Sequence, residues 1–163
     1  MTNEVVHSPI TIVVTVLTCV MMILTSGNAQ SADAQHVQRC KFVTLLTGQI
    51  VAARDEDDRA DLAEDLAEYL SFNPDCGRSP LIVNAIAALL HDRNDAVRWG
   101  GAEALAHIGP PAKSAVPALE RALKESDAQL KASSDTMLPT RYSGQAIRDA
   151  LRKITGKSIP DYN

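Results

Sequence analysis

The amino-acid sequence predicts an all-α fold built from antiparallel helix pairs. Three observations point there. Aromatic residues make up 4% of the 163 positions while Ala and Leu abound, so the chain is rich in helix formers and poor in material for a sheet core. Its apolar residues recur at i, i+3, i+4 and i+7 and do not alternate. Helices in the second half of the chain align with one another at fixed offsets, which marks a repeat.

The chain opens with a segment set apart from the rest. Residues 1–29 carry one charged side chain, Glu4. The charge-free apolar core is Ile10 to Leu24, 15 residues, too short for a membrane span of about 20 and suited to the core of a secretory signal. Small residues follow, and cleavage is expected near Ala29 or Ala34, giving a signal peptide over residues 1–34. The first nine residues hold no Lys or Arg, which departs from the usual signal and leaves an uncleaved anchor as the alternative. A domain of roughly 130 residues remains, enough to bury about two-thirds of the surface of its unfolded chain.

Six helices are expected over residues 36–163. The first, at 36–53, presents Phe42, Leu46, Ile50 and Ala53 on one face. The second, at 58–71, presents Leu62, Leu66, Tyr69 and Leu70, and the acids Asp55 to Asp58 suit its positive N-terminal end. Asn73 to Arg78 is a turn by composition. Ser79 and Pro80 open the third helix as cap and first residue, with Ile82, Ile86, Leu89 and Leu90 buried. Asn94 or Asp95 caps the fourth, whose stripe is Val97, Gly101, Ala104, Leu105 and Ile108. Gly109, Pro110 and Pro111 end it. Ser114 is a candidate cap for the fifth helix, which carries Val116, Leu119, Ala122 and Leu123. The sixth carries Ile147, Ala150, Leu151 and Ile154 and stops at Gly156. Helices three and five align at an offset of 33 and helices four and six at 46. The difference predicts 13 residues inserted in the last pair, a loop at about 128–142.

The run DRNDAVRWGGAEALAHIGPPAKSAVPAL, Asp92 to Leu119, resembles a HEAT repeat of the short bacterial type that also occurs in phycobilisome-lyase-like proteins. The likeness is good over 79–125 and over 146–156 and poor over 36–72. It implies a right-handed solenoid of about three stacked hairpins and a role in binding other macromolecules. It also implies that Asp95 and Arg98 belong to a ladder linking neighbouring repeats. At offset 46 from Arg98 stands Gly144, so that ladder is not expected to continue into the last repeat.

Composition narrows the function. Without residues 1–29 the chain has 16 basic and 19 acidic residues, a net charge of −3, which speaks against a nucleic-acid partner. His36, His91 and His107 stand at no ligand or catalytic spacing, and no Gly-rich phosphate loop or nucleophile elbow occurs. No catalytic residue, cofactor or metal is therefore assigned. Cys40 and Cys76 remain after export, either as a disulfide in an oxidising compartment or, for Cys40, as a small buried side chain. Trp99 falls opposite the core stripe of its helix. It is either an exposed anchor for a partner or packed inside the domain, with Met137, Leu138 and Tyr142 of the insertion as its neighbours in both cases. The expected function is a periplasmic or secreted, non-catalytic scaffold for an unknown protein partner. The alternatives are an accessory protein like the lyase-type repeats, holding a small molecule or chromophore-bearing substrate, and a purely structural envelope protein.

Overall fold

A computed structural model describes residues 33–132 and 142–161. The chain divides into two compact units, residues 1–38 and 39–163. In the first, the described residues 33–38 are helical. The second contains helices only among its described residues: α1 at 39–52, α2 at Glu56–Phe72, α3 at Pro80–Leu89, α4 at Asp95–Ile108, α5 at Val116–Ala132 and α6 at Ser143–Thr155. Short 3₁₀ turns at Pro74–Gly77 and Pro110–Ala115 lead into α3 and α5. Consecutive helices pair into three hairpins. The second helices of the hairpins, α2, α4 and α6, pack side by side as one row.

The elements form where their local chemistry directs. The Asp55 carboxylate accepts the N–H groups of Asp57 and Asp58 and so starts α2, and Asn94 does the same for α4 through Ala96. Gly109 and Gly156 stop α4 and α6 at φ of 68° and 69°, a region that residues with a Cβ avoid. Ser114 falls within the 3₁₀ turn and does not cap α5, because Pro110 and Pro111 first wind the chain into that tighter turn. The insertion is also less of a loop than expected, since residues 128–132 are the last turn of α5.

The buried stripes agree with the sequence on α4 and α6 and rotate on α1. There Val43, Leu46, Thr47 and Ile50 face the core, while Phe42 stays 42% exposed. Phe42 lies against the Tyr69 ring of α2 at 4.8 Å between centroids, and the Tyr69 hydroxyl donates to the Arg39 carbonyl. A disulfide joins Cys40 to Cys76, Cα atoms 4.7 Å apart, and so ties α1 to the turn that follows α2.

α4 is the central helix and its two glycines are there for contact. A Cβ on Gly100 would stand 2.7 Å from the Ala63 carbonyl oxygen of α2, and one on Gly101 would stand 3.0 Å from Cβ of Leu89 on α3. The same register on α2, counted from the caps Asp55 and Asn94, shows how the row ends. Where α4 buries Val97, Gly100 and Ala104, α2 exposes Asp58, Asp61 and Asp65. Stacking a further hairpin there in the same way would bury three carboxylates, which is strongly unfavourable without partners. At the other end the chain after α6 returns along it. Arg152 donates to the Ile159 carbonyl at 2.8 and 3.0 Å, Arg148 donates to the Pro160 carbonyl at 2.9 Å, and Asp161 pairs with Arg152. This tail runs along the last helix, and Tyr142 at the end of the insertion lies against its first turn at Gly144.

A methyl group at Gly100 meets backbone, which cannot turn aside as a side chain can. Gly100→Ala is expected to destabilise the domain by about 1–3 kcal/mol in urea unfolding, the usual cost of overpacking. Gly48 of α1 has open space around it, and Gly48→Ala should leave stability unchanged or raise it by about 0.5–1 kcal/mol.

Candidate functional site

Two surfaces of the repeat row carry the polar chemistry. One is the edge formed by the turns inside each hairpin. Arg59 of α2 donates to Asp92 Oδ1 at 3.2 Å, in the turn of the next hairpin, and the Asn94 side-chain amide donates to the Glu56 carbonyl. Arg98 of α4 donates to its own turn, at the carbonyls of Asp92 and Arg93 and at Asp95 Oδ1. It reaches forward to Gln129 Oε1 at 3.3 Å. Asp95 in turn accepts the Ser143 hydroxyl at 2.6 Å and the Ser143 N–H at 3.1 Å. The residue before α6, Tyr142, gives that helix no side-chain cap. Asp95 therefore caps α6 from the neighbouring hairpin, a carboxylate at the positive end of a helix dipole.

In the last hairpin Gly144 stands where the register would place the arginine, and Arg148, one helical turn further on, donates within its own hairpin, to the Gly144 carbonyl at 3.1 Å and to Asp127 Oδ2 at 2.7 Å. Asp127 also accepts the Tyr142 hydroxyl at 2.9 Å. Burial first, and then that hydrogen bond, push the Tyr142 phenol well above its ordinary value, so it stays protonated and keeps its donor for Asp127. A Cβ at position 144 would run into the Tyr142 ring, which is the physical reason for Gly where the register alone would place an arginine.

The second surface is the open face of the α2–α4–α6 row. Trp99, Glu103 and His107 fall at i, i+4 and i+8 on α4 and are all partly exposed, so they form one stripe along the middle helix. By the same registers α2 contributes Ala60, Glu64 and Glu68, and α6 contributes Gln145, Asp149 and Lys153. Trp99 packs its inner edge against the core and keeps part of its surface open. It is neither the wholly exposed anchor nor the buried core residue that its helical position allowed. His107 lies 3.8 Å from Glu103. Burial and the Lys153 charge hold its pKa below the ordinary 6.5, with Glu103 opposing them.

Of the residues singled out in the sequence, Asp95 and Arg98 meet in the ladder and Cys40 and Cys76 meet in the disulfide. Tyr142 is tied to Asp127 on the turn edge. Met137 and Leu138 lie outside the described residues. Sequence reasoning missed Arg59, Asp127, Ser143 and Arg148. Arg59 was accessible to it, because Arg59 and Arg98 each stand four residues after a helix cap.

Comparison with known families matches residues 44–137 to HEAT repeats, so the match extends into the first hairpin. Comparison with curated proteins and with solved structures returns no match.

Truncating Arg148 would leave the Asp127 carboxylate and the Gly144 and Pro160 carbonyls without this donor. Arg148→Met is expected to cost roughly 3 kcal/mol, as for a broken buried pair, and to lower the protection of tail amides in hydrogen exchange. His107 carries a pH dependence of known sign. Its folded-state pKa is lowered, so its contribution is complete above the unfolded value of about 6.5 and lost as pH falls below it. Denaturation midpoints at about pH 8 and pH 5 should differ less in His107→Gln than in the wild type.

Proposed function

The chain belongs to the HEAT repeat family, and from that premise we propose that it is a non-catalytic scaffold that binds a protein partner outside the cytoplasm. The observation that carries this reading is the stripe Trp99–Glu103–His107 on the middle helix. A half-exposed indole with charged residues along its own helix and the two beside it has the make-up of a binding anchor, apolar area surrounded by orienting charge. The partner surface that complements it is apolar at its centre and offers basic groups to Glu64, Glu68 and Glu103.

Location outside the cytoplasm rests on two features of different origin. The apolar run from Ile10 to Leu24 has the length of a signal core, and the Cys40–Cys76 pair has the geometry of a disulfide that an oxidising compartment maintains. Among the described residues no helix is long and apolar enough to cross a membrane.

A photo-cross-linking residue in place of Glu103 is expected to capture one partner in intact cells. The same residue in place of Leu81, an exposed position on α3, should not capture it, and Trp99→Ala should reduce the yield from position 103 by about tenfold, the loss of one anchor worth roughly 1.4 kcal/mol. Equal capture from both positions, or capture indifferent to Trp99, defeats the reading. In the same cells Cys40 and Cys76 should resist a maleimide until a reductant is added; prompt labelling would place the chain in a reducing compartment.

A further inference from the structure

Three arginines of the turn edge are largely buried and very unequally satisfied. The Arg148 side chain is 5% exposed and donates to Gly144, Asp127 and Pro160. That of Arg98 is 11% exposed and donates to four acceptors. That of Arg59 is 18% exposed, and among the described residues Asp92 is its one hydrogen-bonded partner. Its Nε is buried with no acceptor among the described residues. Leaving a buried donor unsatisfied costs about 1–3 kcal/mol, and more for a charged group.

The cause lies in the lengths of two helices. α5 runs 17 residues and carries Ser126 and Gln129 over the turn of the hairpin before it. The cleft there is lined by Arg98, Glu125, Ser126 and Gln129, and the Gln129 amide oxygen meets the Arg98 guanidinium. α3 has the equivalent place in the preceding hairpin and runs only 10 residues, ending at Leu89. No amide arrives there. What is left is a cleft of about 270 Å³ lined by Ile50, Val51, Ala88 and Leu89 on its apolar side and by Arg59, His91 and Asp92 on its polar side.

We propose that this cleft is a second binding site, taking a peptide segment of a partner that seats an aliphatic side chain against Ile50, Val51, Ala88 and Leu89 and presents a neutral amide carbonyl to Arg59. The neighbouring hairpins show the chemistry that completes this position, an amide oxygen on the arginine. A neutral acceptor fits better than an anion for a further reason. Asp92 already balances the guanidinium charge, and Glu56, Asp57 and Asp58 crowd the start of the same helix. The volume lies just below the roughly 300–1,000 Å³ of sites for drug-sized molecules, so it suits one side chain and its amide. The site is on the turn edge, apart from the Trp99 stripe, and each can fail without the other.

The probes are N-acetyl-leucinamide, neutral and aliphatic, and hexanoate, aliphatic and anionic. Each is titrated into the full chain with its disulfide intact, followed by amide and arginine Nε–H resonances. The leucinamide is expected to give saturable shifts at Arg59 Nε–H, Ala88 and Leu89. Ala88 is exposed on α3, and Ala88→Met, which fills the cleft mouth without touching the core, should weaken binding about tenfold or more, a change of roughly 1.4 kcal/mol. Arg59→Lys keeps a charge for Asp92 and loses the planar fork, and should weaken it as well. Tighter binding of hexanoate would overturn the neutral-acceptor assignment. Shifts that never saturate, or that persist unchanged in Ala88→Met while helicity is retained, would overturn the site itself.

Discussion

A helix with neighbours on both sides has two flanks to bury, and in this domain the whole row turns on how α4 does so. Its glycines put backbone where side chains usually stand. Gly100 lets α4 settle against the Ala63 carbonyl of α2, and Gly101 lets it settle against Leu89 of α3. That closeness brings the turn of one hairpin within hydrogen-bonding reach of the next. Arg59 can then meet Asp92, and Asp95 can cap a helix it does not belong to. Helix termini each leave several backbone groups without partners, and a stack solves the problem by exchange. The ladder is thus a consequence of the close packing, and in return it fixes the register in which the packing occurs.

The same reasoning accounts for the two ends. A repeat row left open presents an apolar flank to water and invites further stacking. On α2 the flank is replaced by Asp58, Asp61 and Asp65, so the inward-facing positions 63, 66, 67 and 70 are buried while the outward ones are charged. On α6 eight of the thirteen positions are buried, and the chain itself supplies part of the cover. The tail is held by side chains one turn apart, Arg148 and Arg152, whose guanidinium groups reach its carbonyls. One end is closed by charge and the other by chain, which makes three hairpins a finite unit.

The fold was legible in the sequence where local and tertiary signals agree. On α4 and α6 the apolar period and the closing glycine describe the same cylinder, joined on α4 by the Asn94 cap, and the buried stripes include the expected ones. On α1 they disagree. Phe42 has the size of a core residue, but the core takes Val43 and Thr47 and leaves Phe42 for Tyr69. The ladder was half legible. The family resemblance finds Asp95 and Arg98, and the offset places Gly144 where the next arginine would stand. Arg148, one turn further along, instead ties together its own hairpin and the tail through Asp127, Gly144 and Pro160. Ser143 gave no signal, because a buried hydroxyl reads in sequence as a surface residue until its acceptors are known.

The two polar surfaces of the row answer to different demands, and the residues divide accordingly. On the turn edge, charges are placed where they must be satisfied: Arg98 and Arg148 are nearly inaccessible and have their acceptors within the chain. Such groups hold geometry and have little capacity left for a partner. On the open face, Glu103, His107 and Lys153 sit near one another and remain partly hydrated, so their mutual interactions are weak and can be exchanged for those of another protein at small cost. Trp99 joins the two regimes, with one edge fixed by the core and the other available. A rigid aromatic loses little entropy on binding because its position is already set. The close packing and the ladder that fix α4 are therefore what the recognition we propose for its outer stripe relies on.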